Sequence, residues 1–329
     1  YVRHEEDREV LVLTDNKDSH PDHDPLEIPF HEIPRADLDD GVLSLRRREV
    51  VHTGRVVLRD YDFERPTDTL EVSVDSINRF GDSSGLERYI YGAGYTQRSE
   101  GEELARVIIE SEEAEQETFD GRSNVRTLSP GYVFKLDGHP ERARDEKYLV
   151  IQVRHQGTNN IGNAPSHYEN RFAVIPYRIQ YRAMIRTPKK KAPGLQTAVV
   201  VGPAGEEIHT DKHGRIKVQF HWDRNGQFDD KSSCWLRVAQ SWAGRQWGTF
   251  FLPRIGQEVL VDFIEGDIDR PIVVGSVYNG DNPPPYPLPA EATKSTIKTL
   301  SSKGGDGFNE LRFEDKKGSE EIFIHAEKD

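Results

Sequence analysis

The chain has few of the residues and motifs on which several classes of protein depend. Cys234 is the only cysteine among 329 residues, which excludes an internal disulfide framework and any cysteine-rich zinc site. Because Cys234 stands in the apolar-flanked sequence Cys-Trp-Leu, we expect it to be a small buried side chain rather than a nucleophile. No apolar stretch approaches the roughly 18–20 residues that span a bilayer, and we expect no signal peptide.

Catalytic motifs are equally scarce. The sequence contains no G-x-S-x-G elbow, and the Gly-Ala-Gly at 92–94 lacks the strand–turn–helix context of a dinucleotide site. With 57 acidic residues, pairs of carboxylates arise by chance, whereas glycosidase chemistry needs two carboxylates held at a defined separation in a cleft. We therefore predict no catalytic residues and no cofactor. Sequence spacing does not test for a Ser/His/Asp triad, and an envelope-degrading hydrolase is the alternative hypothesis.

Two groups of histidines raise the question of a metal site. His209, His213 and His221 are close in sequence, but their spacing does not place three imidazoles on one face of a helix or strand. His20 and His23 stand beside Asp22 and Asp24 in a polar stretch that we interpret as a flexible acidic loop. We predict no metal site in either group.

The charge of the chain argues against two kinds of partner. There are 44 Lys and Arg against 57 Asp and Glu, for a net charge of −13. Nucleic acids and anionic membrane surfaces favour clustered Lys and Arg, so we predict binding to neither. The length suffices for two or more domains with real cores. Because the first residue is Tyr1 and not Met, we expect the chain to be part of a longer protein.

Short apolar segments between turn residues are the dominant pattern and predict a mainly β protein. Residues 1–186 are predicted to form a β-rich domain with a single helix at Ser99–Phe119, in which Ser99 and Glu102 form a capping box. We interpret the glutamates of this helix as a solvated face, with an acidic docking surface as the alternative. The strands of this domain are predicted at residues 9–13, 43–47, 55–60, 69–74, 132–136, 148–155 and 172–182.

The second half begins with a basic Pro/Gly linker at 187–194, followed by a predicted OB-type barrel at 195–278. The five strands of this barrel are predicted at residues 196–201, 215–221, 234–239, 258–264 and 272–276. Many OB folds bind single-stranded nucleic acid on aromatic side chains, which keeps that function as an alternative. Residues 195–277 contain nine Lys and Arg against eleven Asp and Glu, however, with no basic stripe. We therefore interpret Trp222, Trp235, Trp242 and Trp247 as core and subunit-interface anchors.

The last segments form a Pro-rich linker at 279–294 and a pair of short strands within 295–329. Leu311 and Phe313 alternate with charged residues, Gly318 marks a turn, and Ile322 and Ile324 alternate again. Two such short strands bury too little surface to be stable alone. They need partners, either from downstream repeats or from other copies of the chain.

Particular motifs are more informative than these patterns. The barrel carries WLRVAQSWAG at 235–244 and GTFFLPRIGQEVLV at 248–261, and the flanking regions carry LERYIYG at 86–92, LSPGYVFKL at 128–136 and GFNELRFED at 307–315. Together these segments closely resemble VgrG, the spike of bacterial type VI secretion systems. The resemblance covers practically the whole chain. It implies a phage-tail-hub-like domain that lacks its first barrel, an OB-fold barrel, and the start of a triple-stranded β-helical needle.

The resemblance also implies a mechanical function. The chain would form a homotrimer that seats on a tube of Hcp hexamers, carries a PAAR-type tip protein and effector proteins, and pierces target membranes without a transmembrane segment. It would reside in the bacterial cytoplasm before firing and then be secreted or injected. A catalytic extension, where family members have one, would lie beyond the needle. For the needle, we predict that Leu311, Phe313, Ile322 and Ile324 pack at the trimer axis.

Overall fold

The computed structural model describes residues 1–32, 39–78, 85–144, 146–159 and 166–329. The chain divides into two compact units, Tyr1–Arg186 and Thr187–Asp329. Strands dominate both, as the sequence pattern predicts. Among the described residues, no helix combines the length and apolarity needed to cross a membrane.

The first unit contains eleven strands and one α-helix in its described part. In chain order these are β1 (Val2–His4), β2 (Glu9–Leu11), β3 (Asp22–Pro29), β4 (Val42–Glu49), β5 (Arg55–Asp60), β6 (Leu70–Asp75), β7 (Glu87–Tyr91), α1 (Arg98–Gln116), β8 (Glu117–Ser123), β9 (Val133–Asp137), β10 (Lys147–Thr158) and β11 (His167–Pro176). Strands β1 and β2 form a separate two-stranded sheet.

A six-stranded sheet in the order β3-β9-β10-β11-β8-β4 is the centre of this unit. Its longest antiparallel pair, β10 with β11, runs from Tyr148 opposite Pro176 to Thr158 opposite His167. One face of the sheet packs into a core that includes the fully buried Phe134, Tyr148 and Leu136. The strand predicted at 172–182 instead ends at Pro176, because proline has no N–H with which to continue a ladder.

The helix packs on the three-stranded sheet β6-β5-β7, with Ala105, Ile108 and Ile109 in the shared core. It begins and ends earlier than the predicted Ser99–Phe119. At its start the Glu100 carboxylate accepts a hydrogen bond of 3.2 Å from the Gln97 N–H, in place of the predicted Ser99–Glu102 box. At its end, β-branched Thr118 and aromatic Phe119 join β8, where they pair with β4.

Three sequence-based expectations about polar groups are wrong. Glu113 of the helix is 5% exposed and accepts hydrogen bonds from the Ser76 hydroxyl at 2.6 Å and the Ile77 N–H at 2.8 Å, so this part of the acidic face is not solvated. His23 lies in β3 and not in a flexible loop; it is 4% exposed, with Nε2 3.0 Å from Thr127 Oγ1. Cys234, expected to be buried, is exposed.

The second unit contains the barrel and the C-terminal sheet. Its strands are β12 (Gln196–Val201), β13 (Lys217–Phe220), β14 (Arg237–Val238), β15 (Ala243–Gly244), β16 (Trp247–Gly248), β17 (Glu258–Phe263), β18 (Pro271–Val277), β19 (Lys294–Leu300), β20 (Phe308–Glu314) and β21 (Glu321–His325). Five of them pair in the order β13-β12-β17-β18-β14. The bridge between Ile216 and Leu236, with N–H···O distances of 2.9 and 2.8 Å, joins the two edges and closes the barrel.

The fully buried residues of the barrel core are all aliphatic, with Phe220 and Phe263 packed against them. None of the four tryptophans belongs to this core, and Trp235 is half-buried outside it. The core residues are Ala198, Val200, Ile216, Val218, Leu236, Val259, Val261 and Val273. Trp222, Trp242 and Trp247 are 68%, 62% and 58% exposed, so their predicted role as core anchors is wrong. A barrel of five short strands has a narrow interior. Aliphatic side chains fill it, and indole rings are too large for the space. Their role as interface anchors stays a prediction.

Candidate functional site

Strands β19, β20 and β21 form an antiparallel three-stranded sheet that collects the four residues predicted to pack at a trimer axis. Phe313 lies opposite Ile322, and Leu311 lies opposite Ile324. On the other side of β20, Ile297 lies opposite Leu311. Directly opposed residues share a face, as do residues two apart in a strand. Leu311, Phe313, Ile322, Ile324 and Ile297 therefore form one apolar face, called here the apolar needle face.

This apolar needle face is largely uncovered in the single chain. Ile322 and Ile324 are 69% and 78% exposed, Ile297 is 52% and Phe313 is 42% exposed, while Leu311 is half-buried. Scattered exposed apolar residues are ordinary, but a contiguous set on one sheet face is typical of an interaction surface. The sequence signal for it was the alternation of apolar and charged residues in β20 and β21.

Tyr286 of the Pro-rich segment covers part of the opposite face of the same sheet. Tyr286 donates a hydrogen bond to the Glu310 carboxylate, which also accepts one of 2.8 Å from the Thr296 hydroxyl. Arg312 Nη1 donates to the Tyr286 hydroxyl oxygen at 3.1 Å. The Lys294 ammonium lies 4.7 Å from the centre of the Tyr286 ring. The segment interpreted as a linker thus contacts this sheet through Tyr286, on the face opposite the apolar needle face.

Glu310 is the buried charge in this contact, with 4% of its surface exposed. Burial alone would raise the pKa of Glu310, but the hydrogen bonds from Tyr286 and Thr296 and the nearby charges of Lys298 and Arg312 outweigh it, so the pKa lies below its usual value. The carboxylate is therefore ionised at neutral pH. Sequence reasoning missed Tyr286, Glu310 and Arg312; the available signal was a tyrosine among prolines and a polar position on each side of Leu311.

The sheet is also tied to the barrel within the same unit. Arg254 Nη2 donates to the Leu300 carbonyl oxygen at 2.9 Å, and the Glu207 carboxylate accepts hydrogen bonds from the Ser302 hydroxyl at 2.7 Å and the Gly304 N–H at 2.6 Å. Lys303 pairs with Glu206 at 2.9 Å. These bonds fix the direction in which the sheet leaves the barrel.

The histidines considered as metal ligands have other neighbours. The His209 ring lies 4.8 Å from the Trp235 ring, and His221 Nε2 lies 3.8 Å from a Glu258 carboxylate oxygen. His20 Nδ1 lies 3.0 Å from the Gly131 carbonyl oxygen. Within the described ranges, no three His, Cys, Asp or Glu side chains converge to hold a metal ion.

Three known families match successive segments of the chain, which correspond to the first unit, the barrel and the C-terminal sheet. Residues 1–161 match the family described as phage tail baseplate hub, residues 196–278 match the type VI secretion system/phage-baseplate injector OB domain, and residues 295–329 match the bacteriophage T4 gp5 C-terminal trimerisation domain. The last match contains the whole apolar needle face.

Individual relatives agree with these matches. The type VI secretion system spike proteins VgrG1b and VgrG1a of Pseudomonas aeruginosa are each 42% identical to this chain over its full length, covering 45% and 52% of the relatives. The actin cross-linking toxin VgrG1 of Vibrio cholerae is 35% identical over 99% of this chain and 30% of that protein. The chain thus spans about half the length of the P. aeruginosa relatives. With hub, OB and trimerisation segments in order and this identity throughout, the chain belongs to the VgrG family of type VI secretion spike proteins.

Proposed function

We propose that three copies of this chain form a non-enzymatic spike whose shaft begins at the apolar needle face. The observation that carries this proposal is the pairing of Leu311 with Ile324 and of Phe313 with Ile322 on an uncovered face, inside the segment matched to a trimerisation domain. In the assembly these side chains turn towards the three-fold axis. Each chain also gains partners for the edges of its short sheet, which would otherwise fray or aggregate.

The energetics are consistent with association through this face. Fully burying an Ile, Leu or Phe side chain contributes about 1.5–3 kcal/mol, while association costs on the order of 4–15 kcal/mol. The five apolar residues of each copy still have about half of their area free, so their burial contributes a free energy of the same order as that cost. The sheet alone is too small to be stable in isolation, so trimerisation and rigidity arise together.

Membership of the VgrG family supports a proposal for the larger assembly. The hub end of the trimer seats on an Hcp tube, the needle end carries a PAAR-type tip, and effector proteins travel with the spike. Contraction of the apparatus drives it through a target membrane. The protein accordingly occupies the bacterial cytoplasm before firing and the extracellular space or the target cell afterwards. The relatives named as spike proteins support this reading.

The alternative of an enzyme has one relative in its favour, the protein named as an actin cross-linking toxin. This chain spans only 30% of that protein, and we propose that the shared part is the spike and that any cross-linking activity belongs to the remainder. Release of soluble fragments from peptidoglycan by this chain would overturn the proposal that the spike is non-enzymatic. Nucleic-acid binding by the barrel is disfavoured by its acidic excess.

The direct test introduces carboxylates into the apolar needle face. We expect Phe313→Asp with Ile324→Asp to convert trimers to monomers, because six buried charges would meet at the axis. The measurement is molar mass by light scattering. The matched control, Lys317→Asp with Ser319→Asp, places two carboxylates in the exposed turn between β20 and β21 and should leave the mass unchanged. A trimer that survives in the first variant contradicts the axis assignment.

A further inference from the structure

The six-stranded sheet of the first unit has a second face, opposite the core that contains Phe134. One part of this face is covered, with Val133, Leu149 and Ile175 buried, and the charge of the remaining part differs from that of the chain as a whole. Two rows of directly opposed residues cross strands β4, β8, β11 and β10 on this face: Ser44, Arg122, Arg171 and Arg154 in one row, and Arg46, Asp120, Ala173 and Gln152 in the next. We call this surface the arginine face. It carries four arginines and one aspartate in a protein of net charge −13.

The carboxylates around these arginines neutralise them only in part. Arg122 pairs with Glu169, the next outward residue of β11, whose carboxylate also interacts electrostatically with Arg171, and Arg46 lies opposite Asp120. Among the described residues, no carboxylate lies within 4.0 Å of the guanidinium of Arg46, Arg154 or Arg171. Like charges directly opposite each other in a sheet are destabilising, so this arrangement does not serve the stability of the sheet. Such a local conflict is expected at functional sites.

The arginine face is also concave. Ala173 and Ser44 are small, and between them and the taller arginine side chains lies a groove of about 470 Å³. It is lined by residues of four adjacent strands, which at about 4.8 Å between neighbours gives it a length of roughly 14 Å. That length accommodates four or five residues of extended peptide at about 3.3 Å per residue.

We propose that the arginine face binds an extended, acidic segment of a partner protein. Guanidinium groups bind carboxylates through two parallel hydrogen bonds, which a flexible lysine does not reproduce. All four cations of the groove are arginines. In an extended peptide every second side chain points the same way, so alternating Asp or Glu residues bring successive carboxylates to the arginines, and the groove floor remains available to backbone groups.

A peptide fits these residues better than a nucleic acid does. Asp120 lies among the arginines and Glu169 at their edge. An acidic peptide can place uncharged residues opposite both carboxylates, whereas a nucleic acid carries a phosphate on every nucleotide. The two rows contain no aromatic residue, and Phe172, which also lines the groove, is only 3% exposed, so the described part of the face has no platform on which bases could stack. The proposal does not depend on trimer formation, because the groove is complete within one chain.

The test uses the full chain and two fluorescein-labelled decapeptides, one alternating glutamate and serine and the other alternating glutamine and serine. We expect fluorescence anisotropy to show saturable binding of the acidic peptide, at least about tenfold tighter than that of the neutral one. Arg154→Gln with Arg171→Gln should weaken it by about tenfold or more. The affinity of the variant with Arg154→Lys and Arg171→Lys should lie between those of the unaltered chain and the glutamine variant. Lysine keeps the charge but loses the paired hydrogen bonds.

The matched control, Arg224→Gln with Arg245→Gln, removes the same charge from exposed arginines of the second unit and should change the affinity by less than about twofold. Thermal unfolding verifies that each variant is folded, and removing opposed like charges should not lower the transition temperature. Three outcomes overturn the proposal: no saturable binding, an equal loss in the control, or displacement of the peptide by oligothymidine at lower concentration than by unlabelled acidic peptide. The last would assign the face to phosphate. Monomeric variants from the trimer test should bind the peptide normally, which separates failure of the two proposals.

Discussion

At the scale of single residues, Glu310 is a buried carboxylate in the C-terminal sheet. Its buried carboxylate accepts hydrogen bonds from Tyr286 and Thr296, with Lys298 and Arg312 nearby. A buried carboxylate satisfied in this way is stabilising only while ionised, since protonation removes an acceptor and a charge together. The attachment of the Pro-rich segment to the sheet therefore depends on pH.

We predict that the C-terminal sheet is labile in acid. Because the pKa of Glu310 is lower in the folded protein than in the unfolded chain, its stabilising contribution is complete above the unfolded value of about 4.3 and is lost as the pH falls from there through the folded value. Glu310→Gln should lower the stability of this segment at pH 7 by about 1–3 kcal/mol and flatten its acid dependence. Hydrogen–deuterium exchange of residues 294–325 at several pH values measures both effects.

The control for this prediction is Asp315→Asn, which neutralises an exposed carboxylate at the end of the same strand. It should keep the exchange profile of the unaltered chain at every pH. If Glu310→Gln shows the same acid dependence as the unaltered chain, protonation of another group governs the sheet.

Residue-scale expectations from the sequence failed where exposure depends on tertiary context. Cys234 and three tryptophans were expected inside because their side chains are apolar, but the barrel interior is filled by aliphatic residues. The opposite error occurred at Glu113 and His23, which are buried because backbone N–H groups and a hydroxyl satisfy them. One-dimensional patterns contain the polarity of a residue but not the partners that decide its burial.

At the scale of elements, the two-residue strands β15 and β16 form an exposed ribbon with paired indoles. The Trp242 and Trp247 rings lie 5.0 Å apart, edge to face. A side chain at Gly244 would overlap the Trp247 ring, so glycine there permits the pair to form. An ordered, exposed aromatic pair has the composition of an interface anchor.

We predict that this ribbon contributes to contacts between copies. Trp242→Ala with Trp247→Ala should shift dissociation of the trimer to roughly tenfold or more higher protein concentration, because buried aromatic anchors each contribute about 2 kcal/mol or more to an interface. The thermal transition of the barrel should change little, since none of its core residues is altered. Mass photometry over a dilution series measures the shift.

A suitable control for the ribbon is Leu195→Ala, which removes an apolar side chain that is 50% exposed elsewhere in the same unit. Trimers of this variant should dissociate at the same protein concentration as trimers of the unaltered chain. Superimposable dilution curves for the tryptophan variant and the unaltered chain would remove the ribbon from the interface.

The sequence located the strands of the barrel but missed others. Seven strands of the described residues were not predicted, namely β1, β3, β7, β8, β15, β16 and β19, and the last of these makes the predicted C-terminal pair a three-stranded sheet. All five barrel strands were found near their predicted positions, because period-two alternation and turn glycines are local signals. The helix begins one residue before the predicted start and ends three residues before the predicted end. Thr118 and Phe119 belong instead to β8, which pairs with β4. Two long-range contacts have no local signature in the sequence. They are the bridge between Ile216 and Leu236 that closes the barrel and the contact of Tyr286 with Glu310.

At the scale of the whole molecule, the segments differ in how far they can be stable alone. The core of the barrel consists only of residues between Ala198 and Val273, within a closed sheet. The C-terminal sheet, by contrast, leaves its apolar needle face open. One segment is therefore self-sufficient, while the other depends on association.

This asymmetry predicts the effect of truncation. A chain that ends at residue 294 should be monomeric by light scattering at concentrations where the chain to Asp329 is a trimer, because it lacks all five residues of the apolar needle face. Its barrel should still unfold in a cooperative transition, since every core residue is retained. Near-ultraviolet circular dichroism of the tryptophans tests that the barrel remains folded. A truncated chain that stays trimeric would place the main association surface in the hub or barrel. The needle would then not be required for trimer formation.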